Sequence, residues 1–183
     1  MNKFIKNSLI TSMIVFATSS TFAADHTVSV GYANMKVDDF KNLKGVNAQY
    51  RYETQSPWGA VVSSTYVSGK EDTQYDFDEV EHAKVKYFSL LAGPSYRFNE
   101  YVSTYVLVGL AQTKSSYDFY DYGFNIYEHN SLKKTSVAYG VGVSVNPVEN
   151  IAINLGYEGT RLKGFEDQTA KLNGFNISVG YKF

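Results

Sequence analysis

The chain has 183 residues, a formal net charge of −1 and no cysteine, and 44% of its residues are hydrophobic and 16% aromatic. So mild a charge argues against a nucleic-acid partner, and a cysteine-free chain bound for an oxidising compartment must be stable by sheet closure or packing alone. Tyrosine (16) and phenylalanine (12) are abundant and proline (3) is scarce, which suits strands.

Lys3 and Lys6 precede an apolar stretch from Leu9 to Ala17, and small residues continue to Thr21-Phe22-Ala23. This is the pattern of a secretory leader over residues 1–23, cleaved after Ala23, because the apolar core is too short to cross a bilayer. Residues 24–183 then form one domain. No later stretch approaches the ~18 consecutive apolar residues of a membrane helix.

Alternation of apolar and polar residues predicts eight strands, over 26–35, 43–54, 58–69, 83–98, 101–114, 133–146, 151–163 and 171–183. Tight turns at Gln55-Ser56-Pro57, Asn99-Glu100 and 147–150 use the residues that turns prefer. The connections over 36–42, 70–82, 115–132 and 164–170 are longer and polar. Short turns at one end, long loops at the other and an even strand count predict an all-β fold. It is an eight-stranded antiparallel up-and-down transmembrane β-barrel in the outer membrane, with both chain ends in the periplasm.

A soluble eight-stranded barrel has the same period, but its apolar parity faces inward around a ligand. One parity here reads Val28, Val30, Tyr32, then Val46, Ala48, Tyr50, Tyr52, and onward to the last strand with Phe175, Ile177, Val179, Tyr181 and Phe183. The other carries Asn47, Gln49, Arg51, Glu53, Arg97, Glu158 and Lys182, with many glycines. Charges on that second face cannot line an apolar ligand cavity without a desolvation cost of several kcal/mol each when unpaired, on the order that buried ions carry. The apolar parity therefore faces lipid. Trp58, Tyr96, Phe98, Tyr181 and Phe183 gather at the strand ends near the short turns, where an interfacial girdle belongs. Eight strands leave room inside only for side chains, so Arg51, Glu53, Arg97, Glu158 and Lys182 are expected to form a paired network that fills the barrel.

Following the lipid-facing parity to the long-loop end meets a basic residue on every strand: Lys36, Lys44, Lys70, Lys84 with Lys86, Lys114, Lys133, Arg161 with Lys163, and Lys171. Such side chains keep their stems in hydrocarbon and their charges among phosphates, so these residues form a candidate collar for lipopolysaccharide. Ordinary snorkelling without a specific lipid is the plainer reading. In the third long loop Tyr117, Phe119, Tyr120, Tyr122, Phe124 and Tyr127 are interleaved with acids, a composition suited to contact with a host protein. Alternatively the flanking strands continue above the membrane and pair across the hairpin. The second loop is acidic (Glu71, Asp72, Asp76, Asp78, Glu79, Glu81) without recognisable metal-ligand spacing, and reads as a solvated loop.

Catalysis would need a base beside a nucleophile or a water. Of the three histidines, His26 begins the first strand and His82 and His129 lie in different long loops; only in space could His82, His129, Asp118 and Ser131 meet. No nucleophile elbow is present, and the chain is read as a non-enzyme with no cofactor or metal.

Three segments carry a resemblance: Lys44-Gly45-Val46-Asn47-Ala48-Gln49-Tyr50-Arg51-Tyr52-Glu53, Ala92-Gly93-Pro94-Ser95-Tyr96-Arg97-Phe98-Asn99, and Ala138-Tyr139-Gly140-Val141-Gly142-Val143 with Asn146-Pro147. With Gly156-Tyr157-Glu158-Gly159 and the close from Asn173 to Phe183, the chain resembles the Ail/OmpX/PagC/Lom outer-membrane proteins, most of all the PagC branch. The resemblance implies outer loops that support attachment to host cells, complement resistance or survival in phagocytes. It also implies that the terminal strand, with Phe175, Ile177, Val179, Tyr181 and Phe183, is the signal read by the barrel-assembly machinery. Two functions follow as expectations: a virulence-associated binding protein with lipopolysaccharide as a second ligand, or a structural protein that tightens the outer leaflet.

Overall fold

Backbone pairing closes the chain on itself. The computed structural model describes residues 24–37, 42–76, 79–121, 126–163 and 169–183, with side chains described for 24–37, 42–71, 83–116, 131–161 and 171–183. The leader expected over residues 1–23 lies outside the described residues. The strands are β1 (Asp25–Val37), β2 (Leu43–Glu53), β3 (Trp58–Asp76), β4 (Glu79–Arg97), β5 (Val102–Asp121), β6 (Ile126–Val148), β7 (Ile151–Lys163) and β8 (Thr169–Lys182). Each pairs antiparallel with its neighbours in sequence, and β1 pairs with β8 from Thr27↔Lys182 to Val37↔Leu172, closing an eight-stranded barrel without a free edge in its belt.

The strands obey the parity that the sequence sets. Val30 (67% exposed), Val46, Val106, Val137 and Phe175 point outward, while Ser29, Asn47, Thr65, Ser103 and Asn154 are buried inside. The girdle also forms: Trp58 meets Tyr96 edge-on with ring centroids 5.0 Å apart, and Tyr96 meets Phe98 at 5.1 Å. Facing hydrocarbon on one side, every backbone donor and acceptor of the belt must be bonded to a neighbouring strand, and closure supplies the partners that an open sheet would lack.

The connections over 70–82 and 115–132 are not long loops. β3 and β4 stay paired to Asp76↔Glu79, and β5 and β6 to Asp121↔Ile126. β6 has 23 residues and β5 has 20, against 11 in β2, where a membrane crossing needs about 9–11. Among the described residues β2 pairs with β3 only as far as Ser68, and β7 with β6 only as far as Ala138. A four-stranded sheet of β3, β4, β5 and β6 therefore rises past the short wall made by β7, β8, β1 and β2. There the strands are held by backbone pairing with their neighbours.

Candidate functional site

The barrel interior, read from the short-turn end inward, has three polar levels and an apolar cap. At the mouth the Arg97 guanidinium donates to the Glu53 carboxylate, and Lys182 Nζ pairs with Asp25 Oδ2 at 2.6 Å. A cavity of about 980 Å³ opens there, between the turns around Pro57, Glu100 and Pro147. One level deeper, Arg51 donates to Ser103 Oγ (2.7 Å) and Asn154 Oδ1 (3.1 Å), and its guanidinium lies 6.0 Å from the Tyr105 ring centroid. Glycine makes room for that ring: a Cβ on Gly142 would overlap the phenol, and one on Gly156 would sit 2.8 Å from its oxygen. At the third level the Glu158 carboxylate accepts from Tyr87 Oη (2.6 Å) and Thr65 Oγ1 (2.8 Å). Above it Met35, Leu43, Val67, Val85 and Leu172 are buried together and plug the long-hairpin end.

The interior therefore differs from the single paired network expected of Arg51, Glu53, Arg97, Glu158 and Lys182. Glu53 and Arg97 pair, but Arg51 and Glu158 hydrogen-bond to neutral groups, with the buried Arg51 Nε left without a partner among the described residues, and Lys182 turns to Asp25. The reason is reach. Inside a barrel with room only for side chains, a charge bonds to whatever hydroxyl or amide the neighbouring strands present at its own level. Parity puts the partners Ser103, Asn154, Thr65 and Tyr87 on the inner face without matching them to these charges, and a large residue on that parity, such as Tyr105, needs small neighbours, here Gly142 and Gly156.

Asn154 is a hub across the seam where β1 meets β8. Its Oδ1 accepts from Arg51 on β2 and from Ser144 Oγ on β6 (2.6 Å), and its Nδ2 donates to Ser29 Oγ on β1 and Ser178 Oγ on β8, both at 3.0 Å. Arginine can only donate, so the amide orientation is fixed and every bonding position of the side chain is used. Every other neighbouring pair is joined in sequence; the seam is not, and must be held by the ladder and by such cross-ties. The double variant S29A/S178A is expected to speed amide hydrogen exchange in β1 and β8 about thirtyfold, the factor for two lost buried bonds of roughly 1 kcal/mol each. Exchange in β2 and β3 should be unchanged, and a uniform rise across all strands would refute the role.

On the outer face the predicted basic residues stand where the parity puts them. Lys36, Lys44, Lys70, Lys133, Arg161 and Lys171 are exposed, and Lys84, Lys86 and Lys114 are half-buried; the side chain of Lys163 lies outside the described residues. Register adds what parity could not. Lys44, Ser68, Lys86, Lys114 and Lys133 are successive Cα partners, one row across five strands, and Lys70 stands directly opposite Lys84. Among the described residues none of Lys86, Lys114 and Lys133 has an ion-pair partner. Of the aromatic cluster, Tyr117, Phe119 and Tyr120 lie on β5 and Tyr127 on β6, with Tyr120 the Cα partner of Tyr127. The side chains of these four, and Tyr122 and Phe124 altogether, lie outside the described residues. His82, Asp118 and His129 fall in one row of Cα partners, while Ser131 pairs with Ser116 in another.

An apolar belt, a plugged interior and a sheet that rises past a basic row define a transmembrane β-barrel of the outer membrane. The model of the family described as enterobacterial Ail/Lom protein matches residues 1–183, and the chain belongs to that family. It is 36% identical over 190 residues to the virulence membrane protein PagC of Salmonella typhimurium, covering all of both chains. It is 34% identical to the attachment invasion locus protein of Yersinia enterocolitica, over 98% of this chain and 97% of that one. Among solved structures, the crystal structure of Ail from Yersinia pestis superposes with a TM-score of 0.71 at 32% identity, over 88% of this chain and all of that one. The same protein in complex with the heparin analogue sucrose octasulfate gives 0.69 at 33% identity, with the same coverage of both chains.

Proposed function

We propose that this chain is a non-enzymatic, virulence-associated outer-membrane protein whose rising sheet engages host-surface or serum proteins and whose basic collar holds lipopolysaccharide phosphates. Adhesion, complement resistance and survival in phagocytes are the activities such contacts would serve. Residues 1–23 are removed as a leader, the short-turn end with both termini lies in the periplasm, and the terminal strand, with Phe183 last, is read by the barrel-assembly machinery.

The observation that carries the reading is the four-stranded sheet. It stands clear of the belt with β3 and β6 unpaired along their outer edges among the described residues, and unpaired edges template association with another chain. Its β5–β6 hairpin contains the aromatic residues 117–127, and rigid aromatic side chains are the commonest anchors of protein contacts. PagC and Ail are named for virulence and for attachment and invasion, which favours host contact as the use of that surface. The heparin analogue bound to Ail is a polyanion, in keeping with a family surface that attracts anionic groups.

The test is survival in human serum and adherence to cultured cells of a serum-sensitive bacterium expressing the chain. Replacement of Tyr117, Phe119, Tyr120 and Tyr122 by serine is expected to abolish whichever property the wild type confers, at equal insertion. The plugged interior and the collar favour a second reading, a structural protein that tightens the outer leaflet. Under that reading the serine variant keeps full function, and loss of the chain raises outer-membrane permeability instead.

A further inference from the structure

Asp118 on β5 is the Cα partner of His82 on β4 and of His129 on β6. The three residues therefore occupy one register row across three adjacent strands of the rising sheet. They stand four residues farther from the belt than Lys86, Lys114 and Lys133, which form the parallel row below. The chain has three histidines, and His26 is at the opposite end of the barrel, where its Nδ1 bonds to the Tyr50 hydroxyl at 2.7 Å.

From this juxtaposition we infer that His82, Asp118 and His129 form a binding site for a divalent transition metal, zinc in the first place. Two imidazoles flanking one carboxylate are a donor set that zinc takes readily, and three protein ligands leave a coordination position open for water or a partner's side chain. Neighbouring positions in such a row have Cβ atoms roughly 5 Å apart, so the two histidines flank the aspartate over about 10 Å. That is within the span over which two histidine side chains, each carrying its ring nitrogens well beyond Cβ, share one ion at Zn–N distances of about 2.0–2.1 Å. Adjacent strands are a good source of such ligands because pairing fixes the spacing before the metal arrives. Asp72 on β3 is the next member of the row, as the Cα partner of His82. It stands three strands from His129, too far to complete the same triad, and a site built on Asp72 would hold one imidazole instead of two. A metal held on this row would fasten β4, β5 and β6 together above the membrane and stiffen the edge at β6.

The experiment uses the full mature chain without an affinity tag, folded in zwitterionic lipid nanodiscs free of lipopolysaccharide, and titrates zinc by calorimetry with cobalt absorption as a second readout. The expected result is one metal per chain, with affinity reduced by about tenfold or more, equivalent to roughly 1.4 kcal/mol of binding, in each of H82A, H129A and D118N. H26A and D72N should bind as the wild type does. Absence of binding, or affinity unchanged in the H82A/H129A double variant, overturns the site. So does a loss in D72N that H129A does not share. Since H82A and H129A lie beyond the membrane belt, folding of each variant is checked independently by its heat-modified mobility, and the cobalt spectrum reports the ligand set without reference to stability.

Discussion

Replacing Lys86, Lys114 and Lys133 together by glutamine is expected to lower affinity for lipopolysaccharide about a hundredfold at low salt, and to stabilise the barrel when no lipopolysaccharide is present. Both signs come from the register. The three lysines are consecutive Cα partners across β4, β5 and β6, and like charges directly opposite each other cost about 0.2–1 kcal/mol per pair. A bare barrel carries that repulsion, and the uncharged variant is relieved of it. When phosphates lie along the row the account reverses, because each lysine near an anionic surface contributes about 1 kcal/mol and three contribute about 3 kcal/mol. The affinity loss should shrink as salt is raised and the surface charges are screened over about 10 Å at 0.1 M. Measured side by side in zwitterionic micelles and in lipopolysaccharide-containing vesicles, the unfolding midpoint of the variant should rise in the first and fall in the second. A fall in both would mean that the lysines serve packing through their stems; no change in either would mean that the anions are held elsewhere on the collar.

How far the sequence reaches is set by where a strand has two different environments. From Val28 to Tyr32, and again from Phe175 to Phe183, lipid lies on one side and the barrel interior on the other, so alternation identifies strand, face and compartment together. The outward basic residues fall out of the same parity. Beyond Lys70 and Lys114 the alternation carries no such information: the strands run on to Asp76 and Asp121, and of the two readings of the 115–132 segment it is the paired continuation above the membrane that the register shows. Inside the barrel the limit is different. Parity puts Glu158 on the inner face but cannot choose its partners, because Thr65 stands 93 residues away and Tyr87 stands 71 away in sequence. Only the closed register brings their hydroxyls to its level. The sequence names His82, Asp118, His129 and Ser131 as residues that could meet only in space; the register brings the first three into one row and leaves Ser131 in another, because that depends on the hairpins continuing as strands.

The buried carboxylate of Glu158 leads to the largest expected effect on stability, and to one that is not additive. The residue is 3% exposed and accepts from Tyr87 and Thr65, with no cation paired to it among the described residues. Asn47 Nδ2 donates to Thr65 Oγ1 at 2.9 Å, which leaves the threonine proton for the carboxylate. Y87F removes one of two donors to a buried charged group and is expected to cost about 2 kcal/mol, in the range for hydrogen bonds to charge. E158L removes the acceptor from both hydroxyls at once and is expected to cost roughly 2–6 kcal/mol, because each of the two stranded donors loses about 1–3 kcal/mol of solvation that nothing replaces. The triple variant T65V/Y87F/E158L strands neither, and Asn47 still donates to Ser63 Oγ at 2.9 Å. Since an apolar set of similar volume often equals or exceeds a buried polar group in stability, the triple variant should return to within about 1 kcal/mol of wild type. Reversible urea unfolding from phospholipid vesicles measures all three. Losses that simply add in the triple variant would mean that Glu158, Tyr87 and Thr65 act independently, and that the third level of the interior is held by something other than their hydrogen bonds.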